Sequence, residues 1–284
     1  MGSIPIARLL IMLLAPTAVG AAIPVFRSEP MKKFLIETIK KAGKILVDNF
    51  QKERKLIKIR ARSKEIVTDY DKLVDRFLIK EIEKKFPDHN FLTEESGFKN
   101  KNSDFTWLID SLDGTSNFAA GNPLFSVSVA LLKNKKLIFG AIYAPAINEL
   151  YFAEKGKGTF LNHQKIKVSQ FDKLEKSYLY FCEGGELNRK RTLKIIKKLY
   201  PKVIELRKLG SAALEAAWVA AGKGEGYLTT KINPWDVGAG VLIVEEAGGK
   251  VSDFKNRPWQ PQKNDLIASN KKIHRDFVRL LKNL

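Results

Sequence analysis

The chain is short of the residues that build thiol and soft-metal chemistry. It has one cysteine, Cys182, so no internal disulfide framework exists, and a reducing compartment is compatible with that. Its three histidines, His89, His163 and His274, stand far apart and share no ligand spacing. Zinc chemistry and a histidine-driven hydrolytic triad are therefore excluded as leading readings. Acidic residues are also scarce: 31 against 50 lysines and arginines, a formal net charge of +19. A nucleic-acid or anionic-lipid footprint would explain that balance. However, the lysines are scattered, mostly in pairs on helix-like segments (Lys40-Lys41, Lys84-Lys85, Lys197-Lys198), as solvated helix faces would have them. Internal repeats and low-complexity linkers are absent, and 284 residues suffice for one large domain or two small ones.

Residues 1–30 form a segment apart. They contain no lysine and are apolar from Leu9 to Phe26, but Pro16 and Pro24 break the run too early for a membrane span. No stable membrane insertion is expected. Arg8 with Ala-Val-Gly-Ala downstream suits a signal peptide and an exported protein. "GSIPIAR" also resembles a translated transfer-RNA gene end, and Met31 opens "MKKFLIETIKKAGKILVDNF", which reads as an ordinary start. The expectation is a non-core extension over 1–30 and a cytoplasmic protein beginning at Met31.

From there Leu35, Ile39, Ala42, Leu46 and Phe50 trace one helical stripe. A second helix runs from about Asp71 to Phe86, with Val74, Leu78 and Ile82 on one face and Pro87 ending it. Runs such as "TWLID", "FSVSVALL" and "KLIFGAIY" then predict a largely antiparallel sheet. Past about Asp172 strand and helix alternate: "SYLYFC", "NRKRTLKIIKKL", "VIELRKL", "SAALEAAWVAAGK", "GYL", "PWDVGAGVLIVEEAGG", "DLIASN" and a terminal helix. The expected organisation is an α+β metal-binding subdomain over 31–171 and an α/β subdomain over 172–284.

Several acidic residues sit at element ends, where side chains converge on crevices: Glu65, Glu94 and Glu95, Asp110, Asp113 and Asp236. Each alone has a plain structural reading as a turn residue, a surface glutamate or a helix cap. As a set without histidine or cysteine they suit a hard cation, and Mg²⁺ is the expected metal. The Asp-Gly-Thr turn adds Gly114 and Thr115, whose amides would open a helix and cradle a phosphate. Together these imply metal-assisted phosphoryl transfer to water.

The ordered pieces "EIVTDYD", "TEESG", "WLIDSLDGTSNF" and "PWDVGAG", with "GSAALEAAWVA", resemble the inositol monophosphatase family of magnesium-dependent, lithium-sensitive sugar phosphatases. The resemblance implies a layered α-β-α-β-α sandwich, a homodimer, and two or three Mg²⁺ ions. It places Glu94, Asp110 and the Leu112 carbonyl on the first metal, Asp113 as the bridge, and Asp236 on the second. It gives Glu65 and Thr115 the attacking water, the Gly114 and Thr115 amides the phosphate, and Gly210, Ser211 and Ala212 the sugar side.

Three positions depart from the family pattern. Ser111 replaces a proline that would stiffen the metal turn, and Glu65 stands where aspartate is common. Thr229 occupies the substrate position at which inositol-preferring members carry a glutamate for the sugar hydroxyls, so the choice of polyol is left open. Inositol-1-phosphate or a similar polyol or sugar phosphate ranks first, fructose-1,6-bisphosphate second, and nucleotide 3′-phosphates or NADP third. The other-class alternative is a protein that binds RNA or a transcription complex, for which the net charge is the motive.

Overall fold

The computed structural model describes residues 28–50, 58–59, 66–183, 189–261 and 265–282. Residues 1–27 and Glu65 lie outside these, so the leader and one of the two expected water-positioning residues have no structural account. Among the described residues no helix is long and apolar enough to cross a membrane.

Two helices form the first layer: α1 (Ser28–Asn49), which starts three residues ahead of Met31, and α2 (Asp69–Lys85). Leu35, Ile39, Ala42 and Leu46 of α1 and Val74, Leu78 and Ile82 of α2 are wholly buried, as the helical period requires. Between the helices, β1 (Lys58–Ile59) and β2 (Ile66–Val67) make a short antiparallel pair.

The second layer is an eight-stranded sheet. Its strands are β3 (Asn90–Thr93), β4 (Gly97–Lys99), β5 (Phe105–Asp113), β6 (Ser126–Lys133), β7 (Lys136–Ala144), β8 (Glu149–Glu154), β9 (Gly158–Leu161) and β10 (Gln164–Ile166), with α3 (Thr115–Ala120) between β5 and β6. The order is β10-β9-β8-β7-β6-β5-β3-β4, and every pairing is antiparallel except β3 with β5. Alternation divides the sheet's side chains. Trp107, Ile109, Val127, Val129, Phe139 and Ala141 pack into one core with α1 and α2, while Leu108, Ala130, Ile142 and Ala144 belong to a second core.

That second core is filled by a middle layer of two helices, α5 (Ala212–Ala220) and α6 (Pro234–Glu246). Val237, Ala239, Val241, Leu242, Ile243 and Val244 are all buried, so the stretch of α6 between Asp236 and Glu245 is apolar around its circumference, as a helix between two sheets must be. Close approach sets the spacing: a β-carbon at Gly140 would lie 2.9 Å from the Ala239 carbonyl oxygen.

The second sheet comprises β11 (Tyr178–Glu183), β12 (Glu205–Arg207), β13 (Gly226–Thr230), β14 (Lys250–Ser252) and β15 (Leu266–Ser269), in the order β12-β11-β13-β15-β14. The first three run parallel and the last two antiparallel. On its far face α4 (Arg189–Leu199) and α7 (His274–Leu281) bring Ile195, Leu199, Phe277 and Leu281 onto Leu179, Leu228 and Ile267. The layers read helix, sheet, helix, sheet, helix: an α+β sandwich of the expected class.

Candidate active site

The site begins with an irregularity in β5. Asp110 pairs with Ser128 and Asp113 with Ser126, so three steps on β5 oppose two on β6. In a regular strand, positions three apart point to opposite faces. The extra residue of this bulge cancels that inversion. Ile109 and Leu112 both enter the core beneath α1 and α2, and Asp110 and Asp113 turn together to the opposite side. At Ser111 the buried hydroxyl ties the turn to α2, donating to the Asp71 carbonyl oxygen at 2.8 Å.

Three carboxylates converge. Ligand oxygens of Glu94, Asp110 and Asp236 all lie within 4.8 Å of one another. Glu94 follows β3, where its amide donates to the Ile109 carbonyl at 3.2 Å. The turn beyond it is fixed by the Ser96 amide on Thr93 Oγ1 at 2.9 Å and by the Ser96 hydroxyl on Asp75. Asp236 comes from the first turn of α6, where its Oδ2 accepts from the Asn233 amide at 3.0 Å in a capping box. Asp110 Oδ1 accepts from the Leu112 amide at 3.1 Å. Burial pushes the Asp110 carboxyl well above the usual range, and the charges of Glu94, Asp113, Asp236 and Asp71 push it further.

Asp113 stands outside this trio. Its Oδ1 accepts from the Ala212 amide at 3.0 Å. Its Oδ2 accepts from the Ala213 amide at 2.9 Å, the Ser126 hydroxyl at 3.2 Å and the Ser211 hydroxyl. It thereby caps α5 from 98 to 100 residues away and ties the first sheet to the middle layer. Burial raises its carboxyl, and these four donors oppose the rise.

Gly114 adopts φ +89°, ψ 35°, a left-handed conformation that glycine alone takes without strain, and from it α3 starts. Thr115 is half-buried at the head of that helix, and its hydroxyl lies 2.9 Å from both Asp71 Oδ1 and the Leu112 carbonyl oxygen. The Leu112 carbonyl oxygen thus lies beside the Thr115 hydroxyl. Asp71 caps α2, its Oδ2 accepting from the Thr68 amide and hydroxyl at 2.6 Å each. Burial raises its carboxyl, and the Thr68 and Thr115 bonds work against that rise.

Of the expected sugar-side residues, Gly210, Ser211 and Ala212 border Asp113. Thr229 is wholly buried on β13, in register with Cys182. Its hydroxyl meets no solvent, and a substrate would reach it only after its surroundings moved. Among the buried acids that escaped the sequence reading are Asp71 and Glu215. Asp71 was present in "EIVTDYD" and marked by the capping pattern Thr68-x-x-Asp71. Glu215 was marked only by being the single charge in an apolar helix.

The inositol monophosphatase family model matches residues 27–284. A Thermotoga maritima protein named fructose-1,6-bisphosphatase/inositol-1-monophosphatase is 38% identical over 260 residues, covering 87% of this chain and 94% of its own. The Pasteurella multocida Nus factor SuhB is 34% identical over 254 residues, covering 88% and 94%. Among solved structures, the Thermotoga maritima IMPase superposes with a TM-score of 0.82 at 37% identity, covering 88% of this chain and 96% of that one. The extragenic suppressor protein suhB from Bartonella henselae superposes with 0.85 at 32%, covering 89% and 98%.

Proposed function

The chain belongs to the inositol monophosphatase family and is a phosphatase; from that premise we propose that it removes phosphate from inositol-1-phosphate or a similar polyol or sugar monophosphate with the help of Mg²⁺. The observation that carries this reading is the meeting of Glu94, Asp110 and Asp236 within 4.8 Å beside the head of α3. Three hard oxygen donors with no sulfur or imidazole among them fit Mg²⁺. The repulsion that raises Asp110 is what a bound cation would relieve.

When bound, the ions supply charge neutralisation at the phosphate and a lowered pKa for water. Glu94, Asp110 and the Leu112 carbonyl would hold the first. Asp110 meets both Glu94 and Asp236, so it would contribute to both sets of ligands. Asp236 and Asp113 would complete the second; Asp113 already accepts from Ser126, Ser211, Ala212 and Ala213. The Gly114 and Thr115 amides, at a helix end where amides lack intrahelical acceptors, receive the phosphate oxygens.

The attacking water is oriented by Thr115. With the Thr115 hydroxyl donating to Asp71 Oδ1, Thr115 Oγ1 would take the water's proton as it passes its own to Asp71. Glu65 remains the second water-positioning residue of this scheme. Gly210, Ser211 and Ala212 line the polyol side. Fructose-1,6-bisphosphate is the second substrate in rank, since the 38% identical relative carries both activities in its name.

A homodimer is part of the same reading. α4 buries Thr192, Ile195 and Leu199, while Leu193 is exposed, Ile196 is half-buried and Tyr200, just past the helix end, is exposed. With Ile204, Tyr178 and Phe171, also exposed, Leu193 and Tyr200 form an apolar surface around the end of the second sheet. Tyr178 and Ile204 are neighbours there, linked by the Ile204 amide on the Ser177 carbonyl at 3.1 Å. A second copy covers this surface. A single half-buried cysteine fits a cytoplasmic setting.

A kinetic panel tests the substrate. Inositol-1-phosphate, fructose-1,6-bisphosphate, 3′-phosphoadenosine 5′-phosphate and NADP are compared with Mg²⁺ present, with and without lithium. The largest kcat/KM is expected for the inositol ester, and a preference for either nucleotide would overturn the ranking.

A further inference from the structure

Glu215 is the single charged residue in the α5 sequence AALEAAWVA, and it is wholly buried between the two sheets. A carboxyl there costs stability unless its oxygens are used. Oε1 accepts from the Leu209 amide at 2.7 Å and the Gly210 amide at 3.2 Å. The side chain thus reaches back past the start of its own helix to the two residues ahead of the Ser211 cap.

The opposite side of that segment is held from the phosphate-side helix. Asn117 of α3 donates Nδ2 to the Leu209 carbonyl at 2.7 Å and to the Leu124 carbonyl at 2.6 Å. Leu209 is therefore fixed through its amide by Glu215 and through its carbonyl by Asn117. Directly after it come the Ser211 hydroxyl and the Ala212 and Ala213 amides that hold Asp113. In residues 209–213 the metal-binding and polyol-facing halves of the site share one stretch of backbone.

We propose that Glu215 is a positioning residue for the hydrolysis: as a hydrogen-bond acceptor it sets residues 209–213, aiming the Ala212 and Ala213 amides at Asp113 and shaping the polyol side of the pocket. This rests on the phosphatase reading above and adds a residue to it. Burial holds the Glu215 carboxyl well above its ordinary range; the two amides oppose that and the Asp113 charge adds to it. What the two amides require of the side chain is an acceptor at Oε1. Glutamine preserves that acceptor and its shape, whereas leucine removes it.

The test compares wild type, Glu215→Gln and Glu215→Leu as intact proteins. Calorimetry gives the Mg²⁺ dissociation constant without substrate, and steady-state kinetics gives KM and kcat for inositol-1-phosphate. Glu215→Gln is expected to stay within about threefold of wild type, and Glu215→Leu to weaken Mg²⁺ binding and raise KM by about tenfold or more. If Glu215→Leu does not fold, Glu215→Asp, one methylene short of the two amides, should show the same shift in milder form. A variant that only melts earlier, with the Mg²⁺ constant and KM of its folded form unchanged, would overturn the proposal. So would Glu215→Gln impaired as badly as Glu215→Leu, which would show that charge matters. The Mg²⁺ comparison needs no turnover. A wild type that hydrolyses no sugar phosphate therefore refutes the phosphatase reading and leaves this one separately readable.

Discussion

The Thr115 hydroxyl lies 2.9 Å from Oδ1 of Asp71, a residue 44 positions earlier in the chain. The pairing joins the head of the short helix after the metal turn to the cap of α2, and in the proposed mechanism it offers the attacking water a fixed acceptor. Thr115→Ala and Asp71→Asn should each lower kcat about a hundredfold or more, with Mg²⁺ affinity changed far less. Steady-state kinetics alongside Mg²⁺ calorimetry checks this. Equal losses in metal affinity and kcat would place Thr115 among the metal-holding groups instead.

Asp110 carries the strain of the metal-free site, since burial and four neighbouring carboxylates act on one group. Asp110→Asn removes a charge from that cluster. The metal-free variant is expected to melt a few degrees above metal-free wild type, about 1–2 kcal/mol. It should also lose the rise in melting temperature that Mg²⁺ gives wild type. Scanning calorimetry with and without Mg²⁺ measures both, and a variant less stable than wild type without metal would count against the repulsive cluster.

One half-buried and one buried histidine, His89 and His274, set the acid side of stability. Burial lowers His89 and His274 from 6.5 to about 4. His89 Nδ1 accepts from the Trp107 indole at 3.0 Å, and His274 lies between the Ser252 and Ser269 hydroxyls at 2.9 and 2.7 Å. Above pH 6.5 both are neutral folded or unfolded. As pH falls from 6.5 towards about 4 the unfolded chain takes up protons that the folded one refuses, so stability declines through that window. Each histidine contributes up to about 3 kcal/mol of the loss. Urea unfolding at neutral and mildly acidic pH should show a shallower decline in His89→Gln and His274→Gln. An unchanged decline in both would contradict the assignment.

The apolar surface at α4 gives a fourth prediction. Leu193→Glu together with Ile204→Lys should turn a dimer into a monomer in sedimentation equilibrium while leaving the far-ultraviolet spectrum unchanged. A dimer that survives both substitutions would place the interface elsewhere.

Local pattern made much of the molecule legible. The stripe Leu35-Ile39-Ala42-Leu46 announces a helix whose buried face is decided by its own period; the alternation in "FSVSVALL" announces a strand, but not that both of its faces are buried. The metal turn was legible as a motif. Its geometry was not, because the β5 bulge exists only in the register with β6. The four donors on Asp113 were equally hidden, since Ser211, Ala212 and Ala213 reach it only when two sheets pack on a shared layer of helices. Strand β14, three residues at a sheet edge, is too short to carry a period. Glu215 broke the apolar pattern of its helix visibly, but the amides that explain it lie outside that helix.

The most direct test of the account is phosphate release from inositol-1-phosphate by wild type and Asp110→Asn, before chelation, after chelation, and after Mg²⁺ is restored. Wild type should lose its activity on chelation and regain it with Mg²⁺, and Asp110→Asn should be inactive throughout. Chelated protein that turns over at an undiminished rate, or Asp110→Asn that matches wild type, would contradict the assignment of the reaction to this cluster.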